Sequence, residues 1–271
     1  MSKLKNFALS YPLIFGLVLV AVYPLLAILT YPVRFLFPQN QIGLLYSDTI
    51  SKLILFSFFF VILWRFGWIR ASGISRLVDV RIWMFVAIIF IYHVIVDLYV
   101  ITGEVSIVSS NSPLAFPSLL YYFPASLMEE IVFRGLILLA MVFAWGSNKT
   151  GIVKAVVFSS LYFGLIHLFN LAEQPVGVVL FQAVGAALLG ILWAAIVLVT
   201  KSLWPVIIIH WLTNAAVNIK LIENVNFQAT AEMYGLLAIF FIPMAVLGTY
   251  LVWKLPVLSR EIGSPSYATA D

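Results

Sequence analysis

Eight stretches of this chain are apolar enough, for long enough, to cross the ~30 Å hydrocarbon core of a bilayer. They lie at about Leu13–Leu29, Leu53–Trp68, Ile82–Ile101, Leu119–Trp145, Ile152–Phe169, Val176–Val199, Leu203–Ile219 and Met233–Trp253. Backbone in lipid has to satisfy its own hydrogen bonds, which for runs of this length means helix. The sequence therefore predicts an all-α, polytopic transmembrane helix bundle of about eight spans. Composition agrees, since 63% of residues are hydrophobic and only 10% charged, against about 25% charged in soluble domains. One integral-membrane domain over residues 1–271 is expected, with a mobile tail at about 259–271 where Ser, Pro, Gly and Thr gather. The first run is longer than a signal-peptide core and lacks a small-x-small cleavage site, so it is read as a retained span.

Lys and Arg set the expected orientation. With an inner N-terminus, the inner segments hold Lys3, Lys5, Arg65, Arg70, Arg76, Arg81, Lys149, Lys154, Lys201, Lys254 and Arg260, against Arg34, Lys52 and Lys220 outside. Both termini are then cytoplasmic, and Arg65–Arg81 is the basic inner loop. Trp64, Trp68, Trp83, Trp145, Trp204 and Trp253 fall near span ends, as in an aromatic belt. The net charge of +4 follows from these loop residues and gives no ground for nucleic-acid binding. Cysteine is absent, which excludes disulfides, cysteine-ligated zinc, a cysteine nucleophile and S-palmitoylation. In the sixth run, Ala186, Gly190 and Ala194 recur every four residues and permit close helix contact.

Inside the fourth run stands Met128-Glu129-Glu130-Ile131-Val132-Phe133-Arg134-Gly135. Three ionised residues there oppose insertion by about 8–10 kcal/mol, so they need partners or a purpose. Glu130 and Arg134, four apart, share a helix face, while Glu129 lies about 100° around and is free to point elsewhere. One carboxylate is held by an arginine and one is available for chemistry. The fifth run adds Phe163 and His167 one turn apart and ends at Asn170; the seventh adds His210 and Asn214, with Asn218 prolonging that face. A desolvated carboxylate can take a proton from water while an imidazole orients the same water. A second imidazole and an amide can then donate to the developing oxyanion. No HExxH, GxSG or GxGD motif occurs, so zincin, serine and aspartyl intramembrane proteases are disfavoured. A divalent metal held by Glu129, His167 and His210 stays open as an alternative, because mixed Glu/His sets suit zinc. His93 and Asp97, also four apart, are expected to pair structurally or to line the cavity, outside the catalytic set.

Glu129-Glu130-x-x-x-Arg134, Phe163-x-x-x-His167 and His210-x-x-x-Asn214, in this order on successive helices, resemble the three motifs of the type II CAAX prenyl endopeptidases, the CPBP or ABI family. The resemblance covers about Ser118 to Asn218. It implies an intramembrane endopeptidase in which Glu129 is the base, His167 assists with the water, and His210 and Asn214 form the oxyanion site. Glu130, Arg134 and Phe163 belong to the same motifs in supporting roles. No obligate cofactor is implied. The implied partners are membrane lipids and a membrane-anchored or prenylated peptide, and the implied location is a prokaryotic-type cell membrane. Two other readings remain: a non-enzymatic immunity or peptide-binding protein of the same fold, and a proton-coupled transporter. The charge bias further predicts that the cavity opens toward the outer leaflet.

Overall fold

The structure, a computed structural model, describes residues 3–76, 78–102, 113, 115–223 and 230–254, with backbone alone at 98, 101–102 and 216–223. The expected tail, the side chains of Asn218 and Lys220, and Arg260 lie outside the described residues. No strand occurs among those described. The helices are α1 (Lys3–Ser10), α2 (Pro12–Thr30), α3 (Gln41–Arg65), α4 (Ile69–Ser72), α5 (Val80–Thr102) and α6 (Ala115–Glu130). They continue with α7 (Leu139–Trp145), α8 (Lys149–Ile166), α9 (Val176–Thr200), α10 (Trp204–Glu223) and α11 (Ala231–Trp253). Each expected span has its helix. Among the described residues, six, with α2 counted through its 3₁₀ extension to Leu36, α8 through Ala172 and α5 as far as Asp97, are long and apolar enough to cross a membrane. The other two, α6 with its continuation to Trp145 and α10, are those that carry Glu129, Glu130, Arg134, His210 and Asn214.

Two readings of the sequence need correction. The second span starts near Gln41 rather than Leu53, so Lys52 stands within a helix and not in an outer loop. Polar residues there are absorbed by the helix itself. The hydroxyls of Ser47, Thr49 and Ser51 donate to the carbonyls of Leu44, Leu45 and Ser47, and Asn40 caps the N-terminus by accepting from Gly43 N–H. Trp68 is not a belt residue. It is fully buried, with its ring 4.8 Å from Phe66 and 5.2 Å from Phe143. Trp64 and Trp253 are exposed, as a belt requires.

The connections at the Trp68 end interlock. Gly73 has φ of +69° and lies so close to the Lys201 carbonyl that a Cβ would collide with it. Ser202 Oγ donates to Arg76 O at 2.9 Å, Trp204 Nε1 donates to Ile74 O at 2.9 Å, and Lys5 Nζ donates to Phe66 O at 2.6 Å. From there inward, residues 131–142 are buried without interruption. The bundle's outer face is apolar, with Ile28, Leu29, Phe35, Ile88 and Val246 exposed.

Helix α9 packs chiefly on α11 and α8. A Cβ on Gly190 would sit 3.2 Å from Ser160 Cα, so the expected small-residue contact forms against α8. Gly248 is tighter, since its Cβ would stand 2.7 Å from Leu192 Cα and 2.8 Å from Leu192 N. Backbone cannot step aside as a side chain can. Gly248→Ala is therefore expected to destabilise the protein by about 1–3 kcal/mol, as overpacking does. Gly235→Ala on the same helix, where the nearest atom would be 3.6 Å away, is the control. Thermal unfolding in detergent checks this, and equal melting temperatures for the two variants would contradict it.

Candidate active site

Residues of α5, α6, α8, α9, α10 and α11 enclose a cavity of about 930 Å³. Its wall includes Glu129, Phe163, His167, Asn170, His210 and Asn214, so all four expected chemical residues and their aromatic neighbour meet at one place. Glu130 and Arg134 lie behind that wall, fully or almost fully buried.

The local backbone explains this division. At Ile131 the α-helix widens into a π-helical stretch that runs to Leu138 before α7 resumes the ordinary pitch. Such stretches are rare and cluster at functional sites. Glu130 is the last α-helical residue and Arg134 lies within the π turn. Arg134 Nη1 donates to Glu130 Oε1 at 3.1 Å. Glu129, one residue earlier, points to the cavity, with 21% of its side chain exposed against none for Glu130. The two carboxylates thus point to different surroundings, as their spacing on a helix implies.

Glu130 has a second partner that the spacing did not reveal. His210 Nδ1 approaches the same Oε1 at 2.9 Å, while His210 Nε2 faces Glu129 Oε2 at 3.7 Å. A carboxylate can only accept, so Nδ1 carries the proton and Nε2 is the nitrogen presented toward Glu129 and the cavity. The tautomer of His167 is fixed the same way, because its Nδ1 donates to the Phe163 carbonyl at 2.9 Å. Glu129 and His210 are both near enough to His167 to act on it through charge. Among the described residues, however, no three His, Asp or Glu side chains stand as a set that could hold a metal ion.

Phe163 is the hub of the packing. Its ring stands edge-on to Phe133, His167 and His210 at 5.1, 5.3 and 6.0 Å, and the Arg134 guanidinium lies over it at 4.3 Å. Trp193, absent from the sequence reading, completes this wall. Its ring is 4.5 Å from that of His210 and 5.3 Å from the guanidinium. The sequence signal was available, since a tryptophan in mid-span beside Gly190 and Ala194 fills the room that small residues leave. Gln182, which accepts from Asn170 Nδ2 at 2.9 Å, was likewise not anticipated. Lys52 donates to the Tyr23 hydroxyl at 2.8 Å and feels the charge of Glu129, although it does not line the cavity. His93 and Asp97 pair at 3.2 Å and also line the cavity, so both roles considered for them hold together.

Arg134 is 2% exposed and its ion-pair partner is fully buried. Arg134→Ala would strand that carboxylate, and losing one member of a buried pair costs about 3–5 kcal/mol. The variant is expected to melt well below the parent in detergent. A melting temperature equal to the parent's would move Arg134 from a structural role to substrate binding.

No curated protein and no solved structure matches this chain. Residues 111–216 match the family model described as Type II CAAX prenyl endopeptidase Rce1-like. That stretch contains Glu129, Glu130, Arg134, Phe163, His167, His210 and Asn214, and it nearly coincides with the span over which the motifs alone carried the resemblance. Residues 111–216, which build most of the cavity wall, are thus similar to the Rce1-like type II CAAX prenyl endopeptidases, a protease family.

Proposed function

We propose that the protein is an intramembrane endopeptidase in which Glu129 activates a water molecule against a peptide bond of a membrane-associated or prenylated substrate. One observation carries the reading: of two adjacent glutamates, one is neutralised by Arg134 and the other faces a cavity beside two imidazoles. A held carboxylate cannot act as a base, and a carboxylate on a cavity wall can.

In the proposed reaction Glu129 takes a proton from water as the water oxygen attacks the carbonyl carbon. His167, with its Nδ1 proton committed to the Phe163 carbonyl, offers an unprotonated Nε2 that orients the water. The negative charge that develops on the carbonyl oxygen is met by His210 and Asn214. For His210 this requires a proton on Nε2 as well as on Nδ1, hence an imidazolium. Collapse of the tetrahedral intermediate breaks the C–N bond, and the proton held by Glu129 passes to the leaving nitrogen. Glu130 is a positioning residue that holds the Nδ1–H, and with it the ring angle, of His210.

Glu129→Gln is expected to abolish cleavage of prenylated test peptides by purified protein that still folds. His210→Ala and Asn214→Ala are each expected to lower turnover by roughly 10²–10³, the usual effect of one oxyanion donor. Near-parental turnover by Glu129→Gln would overturn the reading. Losses in the other two confined to affinity would make them binding residues.

The cavity lies at the end of the bundle that holds the α8–α9 turn, opposite the basic connections around Arg65–Arg76 and Lys149. On the charge rule we infer that it opens outward and that both termini are inside. Because the chain has no cysteine, Glu173→Cys and Lys149→Cys give clean reporters at two exposed positions. In intact cells an impermeant thiol reagent is expected to label position 173 and not 149. The reverse pattern restores a cytosolic substrate of the CAAX type.

A further inference from the structure

The cavity holds a second carboxylate that the proposed hydrolysis does not use. Asp97 on α5 accepts from His93 Nε2 at 3.2 Å through Oδ2, and the Thr213 hydroxyl lies 3.5 Å from His93 Nδ1. With the Nε2 proton donated to the carboxylate, Nδ1 can accept from the Thr213 hydroxyl, so two side chains, one on α5 and one on α10, fix how Asp97 is held. The other oxygen, Asp97 Oδ1, is buried with no hydrogen-bond partner among the described residues, while a tenth of the side chain stays open. Such an oxygen in a folded protein calls for a donor.

The surroundings specify what kind of donor. Among the described residues that line the cavity, Asp97 and Glu129 are carboxylates and none is Lys or Arg. Arg134 is screened by Phe163 and paired with Glu130, and Lys52 is turned to Tyr23. A low-dielectric recess walled by carboxylates attracts cations. Aromatic groups add to this. Phe241 stands 5.1 Å from the His93 ring, Trp193 stands 6.3 Å from it, and Tyr234 lines the same cavity.

We propose that Asp97, oriented by His93 and Thr213, binds a positively charged side chain, Lys or Arg, of the peptide substrate. This rests on the peptidase reading. Thr213 and His210 are three residues apart on α10, roughly 4.5 Å along its axis. An extended peptide advances ~3.3–3.6 Å per residue, so the basic residue falls within about three residues of the scissile bond.

The test uses the full chain in detergent and farnesylated peptides carrying Lys, Arg or norleucine at each position in turn within that window. Cleavage is followed with the parent protein, and binding is followed with Glu129→Gln, in which turnover is removed. At one position the basic peptides are expected to bind roughly ten- to a hundredfold better than norleucine, the effect of a charge-assisted hydrogen bond. Asp97→Asn should erase that preference through KM and Kd with kcat unchanged, and Asp97→Glu should keep it. Equal binding of lysine and norleucine peptides by Glu129→Gln overturns the proposal without any change at Asp97. A preference that survives Asp97→Asn overturns it too. Basic selectivity lost in Asp97→Asn, in a protein that cleaves nothing, keeps the cation site and removes the peptidase reading. Cleavage with no basic selectivity does the reverse.

Discussion

Glu130 Oε1 accepts from Arg134 at 3.1 Å and from His210 at 2.9 Å, and most of the site depends on that one oxygen. It joins the π-helical stretch to α10, holds the Nδ1–H of His210, and neutralises a guanidinium that would be prohibitive in an apolar interior. The guanidinium in turn lies over Phe163 and beside Trp193, whose rings shape the cavity wall. The costly buried charge and the ordering of the imidazole are thus handled by a single junction. Its expense is reason for it to be kept only where geometry matters.

The widened turn at Ile131–Leu138 lets neighbouring glutamates serve opposite ends. In a regular helix, adjacent residues diverge by about 100°. Here the divergence puts Glu130 behind the wall and Glu129 on it, while the π turn carries Arg134 back under Glu130. Small residues complete the arrangement from outside. Gly190 lets α9 approach Ser160 on α8, and Gly248 brings α11 onto the Leu192 backbone, so that Trp193 is pressed against His210.

Much of this was readable from residue spacing. Four-residue intervals reported true neighbours at Glu130 and Arg134, Phe163 and His167, and His93 and Asp97, because the helix makes such pairs adjacent whatever surrounds them. Hydropathy placed eight helices, but it started α3 twelve residues late, since a hydropathy scale counts Ser47, Thr49 and Ser51 as polar when their hydroxyls are bound to the helix's own carbonyls. The same blindness put Lys52 in a loop. Trp68 was misread because belt and core tryptophans look alike in sequence, and only the rings of Phe66 and Phe143 distinguish them. The bond from His210 to Glu130 spans eighty positions, and no local period reports contacts of that length. Gln182 reaches the cavity through tertiary packing and was invisible for the same reason, whereas Trp193 had a local signal in its small neighbours Gly190 and Ala194.

A polar pocket sunk into a bilayer is half of a leak. Water that reaches Glu129 has already passed part of the dielectric barrier, and a file of polar side chains below it would conduct protons down the membrane potential. The run of buried residues from Ile131 to Val142 ends that path. Beyond the Glu130–Arg134 pair, Gly135 to Val142 offers only aliphatic and thioether side chains over roughly 12 Å of helix. Insulation on that scale allows a polar cavity to exist within a bilayer without opening a path across it.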